Sequence, residues 1–311
     1  MEPDFVLFAG TASSELGGAI AAELGVGLGA CSIERFPDGE LSVRLAEPVR
    51  RREVFLVQST APPVNEHLLE LLTVTDACRR SAATRITAVV PYFGYARSDK
   101  RHARREPITA SLVARLMEAA GVDHVITLDL HASQIEGFFH IPVDSLTAVP
   151  VICRALGERL PASVAVVSPD TGRVGMATEY AHRLGAPVVV LHKRRLSSTE
   201  TDVTHVVGDV RDRPCLIIDD MISTGGTIAR AVDGLLAAGA LPRIIVAATH
   251  GVFVGEALVK LSHEAIRDVF VTDSVALSDR LREHLHVVSV ARLIAGAIRR
   301  LCTDRSFVDM D

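Results

Sequence analysis

The sequence predicts an α/β protein of two domains, each a mainly parallel sheet flanked by helices, and three observations carry that prediction. Short β-branched runs bounded by turn residues alternate with longer stretches of helical period, the pattern of strands joined by crossover helices. Apolar residues make up 48% of the chain but aromatics only 4%, with no Trp; the core is therefore aliphatic, and its Val, Ile and Ala runs suit strands buried on both faces. At 311 residues the chain is longer than one compact core usually supports.

Taken in order, the first half reads as a strand at Phe5–Ala9, a helix at Ser14–Leu24, and a hairpin over Phe36–Leu45, where Pro37-Asp38-Gly39 is strong turn chemistry. Strands follow at Val54–Gln58, Ile86–Val90 and Val125–Leu130, separated by helices at Asn65–Arg80 and Ile108–Ala120. A boundary is expected around Ile141–Pro150, where Pro142 and Pro150 flank a break. The second half repeats the rhythm with strands at Val164–Val167, Val188–Leu191, Leu216–Ile218, Ile244–Ala248 and Val269–Val271, and helices at Thr227–Ala238 and Ala291–Leu301. The expected domains are 1–145 and 146–288, with a C-terminal helix in 289–311 packing back on the first. Gly25-Val26-Gly27-Leu28-Gly29 has the look of a dinucleotide fingerprint, but it follows a helix rather than a strand, so it reads as a helix stop.

Thirty-three basic against 38 acidic side chains give a net charge of −5, which removes any whole-chain argument for nucleic acid or an acidic membrane as partner. Cys31, Cys78, Cys153, Cys215 and Cys302 are scattered with no C-x-x-C pair, so neither a disulfide framework nor a zinc site is signalled. The start is acidic and no run reaches the length of a membrane helix. A soluble, cytoplasmic protein is expected.

The sharpest chemical signal is Cys215-Leu216-Ile217-Ile218-Asp219-Asp220-Met221-Ile222-Ser223-Thr224-Gly225-Gly226-Thr227: a buried strand, two acids, then a hydroxyl- and glycine-rich turn opening a helix. Backbone N–H groups at a helix N-terminus attract an anion, glycines let the backbone approach, and Ser223, Thr224 and Thr227 add donors. The acids would repel that anion, and their natural partners are sugar hydroxyls nearby. The motif reads as a binder of a phosphorylated pentose. No Gly-Lys-Ser/Thr follows, which excludes a P-loop.

Other groups are ambiguous alone. Lys193-Arg194-Arg195 precedes a polar stretch, Leu196–His205, that has no core periodicity; it reads as a mobile lid carrying cations or as a solvated basic turn. Five cations lie within Arg97–Arg105, either a ligand contact or a solvated loop. His131 and Asp170 close strands, where open α/β sheets bind ligands. Arg173, after Asp170, either alters ligand preference or faces solvent.

Together the motifs settle more. The Asp219–Thr227 string, Phe36-Pro37-Asp38-Gly39-Glu40, Pro91-Tyr92-Phe93-Gly94-Tyr95-Ala96-Arg97, Asp129-Leu130-His131-Ala132, Gly137-Phe138-Phe139, Ser168-Pro169-Asp170 and Lys193-Arg194-Arg195 closely resemble the ribose-phosphate pyrophosphokinase (phosphoribosyl diphosphate, PRPP, synthase) family, over essentially the whole chain. The resemblance implies two type I phosphoribosyltransferase-like domains. It also implies an activity: transfer of the diphosphoryl group of Mg-ATP to the 1-hydroxyl of ribose 5-phosphate, giving PRPP for nucleotide biosynthesis, and AMP.

By the same resemblance, Lys193 and Arg195 are catalytic, and Phe36, Asp38, Glu40, Arg97, Asp99 and His131 bind ATP. Asp219, Asp220, Ser223, Thr224, Gly225, Gly226 and Thr227 bind ribose 5-phosphate, while Asp170 and His131 serve Mg²⁺. Asp170 ranks first as direct ligand, because Mg²⁺ prefers hard oxygen donors. The Phe36–Glu40 hairpin is implied to reach a neighbouring subunit's site in a homo-oligomer, a hexamer. A catalytically silent regulatory relative is the alternative. Ser98 and Arg173 stand where relatives often carry Gln and Gly.

Overall fold

The computed structural model describes residues 5–101, 103–194 and 203–303. These fall into two compact units, one of residues 5–147, 274–276 and 289–303, the other of residues 148–273 and 277–288.

The first unit contains β1 (Phe5–Ala9), α1 (Ser14–Leu24), β2 (Cys31–Arg35), β3 (Leu41–Leu45), β4 (Glu53–Val57), α2 (Val64–Arg80), β5 (Arg85–Val90), α3 (Thr109–Ala120), β6 (His124–Leu128) and β7 (Val143–Leu146). Its main sheet runs β1-β4-β5-β6-β7, with every pair parallel. Because strand side chains alternate between faces, Val6, Phe8, Val54, Leu56, Ile86, Ala88 and Val125 share one face and form a core with Leu71 of α2 and Val113 and Met117 of α3. The hairpin β2-β3 stands apart as a two-stranded sheet. It begins at Cys31, earlier than the sequence reading placed it, because the polar Ser32-Ile33-Glu34-Arg35 run carries little apolar signal of its own.

The second unit contains α4 (Val149–Leu156), β8 (Ala165–Ser168), α5 (Val174–Leu184), β9 (Val188–Arg194), β10 (Val203–Val207), β11 (Cys215–Ile222), α6 (Gly226–Ala237), β12 (Ile244–Gly251), α7 (Ala257–Leu261), β13 (Ile266–Thr272), α8 (Asp279–Arg282) and β14 (His286–Val288). The sheet order is β10-β9-β8-β11-β12-β13-β14. Within this sheet only the edge pair β9-β10 is antiparallel among the described residues. From β8 the chain builds outward one way through β9, and from β11 it builds the other way through β12, so the topology reverses between β8 and β11. Pro142 and Pro150 flank the point where the first unit gives way to the second, between Thr147 and Ala148, and Pro150 lies in the first turn of α4, which needs no N–H from it.

The chain then returns to the first unit as α9 (Ala291–Leu301). This helix packs on α1, buries Ile294 and Ile298, and donates a hydrogen bond from Arg299 to the Glu23 carbonyl, placing a cation at the negative end of α1. Gly25 ends α1 in the left-handed region at φ 73°, its N–H turned back on the Ala21 and Ala22 carbonyls. The glycine run is a helix stop, as expected.

All five cysteines are free, and burial pushes the Cys78 thiol up to about 12 and the Cys215 thiol up to about 11, so both remain protonated and unreactive at neutral pH. Among the described residues no helix is long and apolar enough to cross a membrane.

His124 shows how a buried titratable group constrains the first unit. Its side chain is 2% exposed, with Nε2 2.7 Å from Asp144 Oδ2, and Nδ1 has no partner among the described residues. A charged ring would carry a buried, unsatisfied N–H at that position. Burial accordingly lowers the His124 pKa from 6.5, with Asp144 opposing and Arg85 assisting. Because the unfolded chain takes up a proton that the native ring refuses, stability is full above the unfolded value and is lost as pH falls below about 6.5. Urea denaturation from pH 7.5 to 5.5 is expected to show that decline, and His124→Gln to flatten it; an equal slope in the variant would remove His124 as the cause.

Candidate active site

In open α/β sheets ligands bind outside the carboxyl ends of strands where the topology reverses. In the second unit that place lies between the ends of β8 and β11, and both strands end in chemically distinctive segments.

β11 runs through both acids as far as Ile222, and all eight of its residues are buried. The sequence reading ended this strand at Ile218 because acids seldom occupy a central strand; pairing with β12 carries it on. Asp219 and Asp220 are thus held inside the sheet, with side chains 12% and 1% exposed. Oδ1 of Asp219 accepts the N–H of Asp220 at 2.9 Å. Burial pushes the Asp219 carboxyl well above the ordinary carboxylate range, the neighbouring Asp220 carboxyl adds to the rise, and Arg173 opposes it.

After β11 the chain turns through Ser223 and Thr224 into α6. Its cap is Gly225, left-handed at φ 71°, and no described side chain caps the helix, so the first-turn N–H groups are left facing outward. The turn is braced from behind. Val254 N–H donates to the Ser223 carbonyl at 3.0 Å, and Lys260 Nζ of α7 donates to the Thr224 carbonyl at 3.3 Å. A Cβ on Gly225 would sit 3.2 Å from the Ala257 carbonyl oxygen and 3.3 Å from Lys260 Cβ.

After β8, Asp170 caps a short 3-10 turn, its Oδ1 accepting from Gly172 N–H at 2.8 Å, and its other oxygen has no partner among the described residues. Arg173, left open by the sequence as either a ligand-tuning or a solvent-facing residue, is only 13% exposed and points at the acid pair: Nε lies 3.1 Å from Asp220 Oδ1 and 3.4 Å from Asp219 Oδ1. No sequence spacing links residue 173 to residues 219 and 220; the parallel pairing of β8 with β11 brings them together.

In the first unit, Arg97 and Asp99 lie beyond β5, and His131 lies beyond the adjacent β6. Arg97 is exposed, whereas Asp99 is buried and accepts a hydrogen bond from Gln134 Nε2, which ties the two loops together. Two non-glycine residues at these strand ends, Tyr95 at φ 63° and Asp129 at φ 34°, occupy sparsely populated backbone regions of the kind that cluster at ligand sites. Phe36, Asp38 and Glu40 form the exposed tip of the β2-β3 hairpin, with Phe36 51% exposed. Asp38 Oδ1 accepts the Glu40 N–H at 3.1 Å, and Arg35 pairs with Glu66 of α2 at 2.7 Å, anchoring the tip's base.

Lys193 and Arg194 lie within β9, with backbone partners Thr204 and Val203 of β10. The sequence reading placed these cations beyond the strand; it undercounted because antiparallel pairing, not apolar content, prolongs β9. Arg195 and most of the expected lid fall outside the described residues.

Residues 5–121 match the model of the N-terminal domain of ribose phosphate pyrophosphokinase, and residues 194–310 that of a phosphoribosyl synthetase-associated domain. A ribose-phosphate pyrophosphokinase of Vibrio parahaemolyticus is 44% identical, with 99% of both chains covered. The chain belongs to the ribose-phosphate pyrophosphokinase family. One from Thermotoga maritima is 45% identical over 95% of this chain and 94% of its own. The crystal structure of phosphoribosylpyrophosphate synthetase from Mycobacterium smegmatis superposes with a TM-score of 0.90 at 42% identity, covering 96% of this chain and 99% of that one. The protein is a transferase by family, and its α/β architecture is the one expected from the sequence.

Gly225 gives a direct test of the turn. Gly225→Ala adds a methyl group in the left-handed region against the Ala257 carbonyl and is expected to cost about 1–2 kcal/mol, read by urea unfolding. Unchanged stability would show that the turn relaxes freely.

Proposed function

We propose that this protein transfers the diphosphoryl group of ATP to the 1-hydroxyl of ribose 5-phosphate, giving PRPP and AMP. The observation that carries the proposal is the pairing at the β8/β11 reversal of two buried acids with an uncapped, glycine-opened helix N-terminus, in a chain of this family. The 5-phosphate would sit against the first-turn N–H groups of α6, with Ser223, Thr224 and Thr227 as further donors. Gly225 and Gly226 leave room for its approach. Asp219 and Asp220 would accept from the sugar's hydroxyls.

ATP would be held by Arg97, Asp99 and His131, with Phe36 stacking on adenine and Asp38 and Glu40 reading its edge. The exposed hairpin tip supports a role for it in a neighbouring copy's site, and hence a homo-oligomer with shared sites; a hexamer is the size the family resemblance implies. In the reaction a bond forms between the sugar's O1 and the β-phosphorus. The bond from that phosphorus to the oxygen bridging it to the α-phosphorus breaks, AMP leaves with the electron pair, and the O1 proton is released. Lys193 and Arg195 would neutralise the charge that gathers on the equatorial oxygens.

Mg²⁺ fits the hard oxygen of Asp170 that has no partner among the described residues; His131, in the first unit, is a candidate ligand by the family resemblance alone. Among the described residues no three His, Cys, Asp or Glu side chains gather into a metal site. Mg²⁺ usually takes one or two protein carboxylates plus waters and substrate phosphates. Bound there, it would neutralise charge on the ATP phosphate oxygens. A cytoplasmic location is part of the proposal, and the free cysteines suit a reducing compartment.

The test is a coupled assay for AMP. AMP release from Mg-ATP is expected only when ribose 5-phosphate is present, and folded protein that releases none would be a silent relative. Lys193→Ala is expected to lower kcat by about 10²-fold or more with little change in ribose 5-phosphate affinity. Near-normal turnover would remove Lys193 from the catalytic role.

A further inference from the structure

The acid pair of β11 is met by a cation that neither the family resemblance nor the substrate assignment accounts for. Adjacent strand residues ordinarily send their side chains to opposite faces, yet Oδ1 of Asp219 and Oδ1 of Asp220 both lie within 3.4 Å of one nitrogen, Nε of Arg173. All three side chains are 13% exposed or less, so the contact is shielded from the screening that weakens surface pairs. Arg173 is itself held in place. It closes the short turn that Asp170 caps through Gly172, and Ser168 Oγ fixes the turn's start by donating to the Asp170 carbonyl at 2.6 Å.

Two neighbouring carboxylates in a buried strand repel each other, and they also repel a phosphate. Without a cation the two side chains would be free to swing apart, one to each face of the strand. That change would spoil a pair of acceptors meant for adjacent hydroxyl groups. A guanidinium at about 3 Å from each offsets one negative charge and fixes both carboxylates through charge-assisted contacts.

We infer that Arg173 is a positioning residue for the sugar subsite, holding the carboxylates of Asp219 and Asp220 in place as acceptors for the hydroxyls of ribose 5-phosphate. This rests on the reading of the acid pair as the sugar site. Arg173 acts through the acids and reaches the substrate only by way of them. The same turn carries Asp170, so a single rigid segment sets both the acid pair and the carboxylate proposed for Mg²⁺.

The experiment compares R173Q, R173K, D220N and the double variant R173Q/D220N in the full chain, measuring ribose 5-phosphate binding by calorimetry and kcat and KM by AMP release. R173Q is expected to weaken ribose 5-phosphate binding and raise its KM by about tenfold or more, with kcat and the KM for ATP changed much less. R173K is expected to restore affinity to within about threefold of wild type, because it returns the charge. In the double variant the two losses are expected to fall short of their product, since both act on one pair.

Ribose 5-phosphate affinity in R173Q equal to or tighter than wild type would overturn the inference, the tighter case marking Arg173 as a competitor for the acids. So would losses that multiply fully. If D220N leaves affinity unchanged, the sugar reading of the pair fails, and the inference with it; if D220N weakens binding and R173Q does not, only the inference fails. Should R173Q not fold, R173K decides: near-wild-type affinity supports the charge, and a loss as large as that of D220N overturns it.

Discussion

Burial of β11 on both faces at the centre of a seven-stranded sheet is the constraint on which the site depends. A central parallel strand must be apolar or have its polar groups satisfied, and β11 places Asp219 and Asp220 inside that rule's territory. The consequences follow outward. The carboxylates need a neighbour of opposite charge, which the turn after β8 supplies as Arg173. The strand must also hand over to a helix at once, and Gly225 makes that turn with a left-handed cap. Apolar and polar halves of the element thus serve different ends: Cys215–Ile218 anchors the strand in the core, and Asp219–Ile222 spends that anchorage on rigid chemistry at its carboxyl end.

The first unit solves a related problem by a different route. Its strand ends at β5 and β6 carry no acid pair in the sheet; they carry two non-glycine residues in rare backbone conformations, Tyr95 and Asp129, and a cross-loop hydrogen bond from Gln134 to Asp99. Strain of this sort persists only where the surroundings over-determine it. The hairpin tip at Phe36 is the opposite case, an apolar side chain kept in solvent by its own tight turn and by a half-exposed ion pair at its base. The second unit's rigidity suits fixing a small sugar phosphate, whereas an exposed aromatic on a narrow hairpin suits closing on a planar base.

Much of the fold was legible in the chain because its signals are local. Phe5–Ala9, Ser14–Leu24 and Ala291–Leu301 were read to the residue, each being a periodic apolar segment with clear stops. Three of the misreadings share one cause, while β7, α4, α5, β10 and β14 were not read as elements at all. β9, β11 and the hairpin's first strand all run further than their apolar content suggests, since their polar residues are held extended by neighbouring strands. Hydrogen-bond partners of that kind come from distant sequence, and no window of the chain contains them.

The chain by itself determined the α/β class, the family, and the residue types at the site, because motif spacing and aliphatic patterning are properties of contiguous sequence. Only the tertiary structure decided that Asp219 and Asp220 are buried, that Asp99 is engaged by Gln134, and that Arg173 faces the acids instead of solvent. The physical reason is register. Parallel pairing of Ile217 with Val167 sets the ends of β8 and β11 side by side, and a cation some 46 residues away in sequence becomes the acids' neighbour in space.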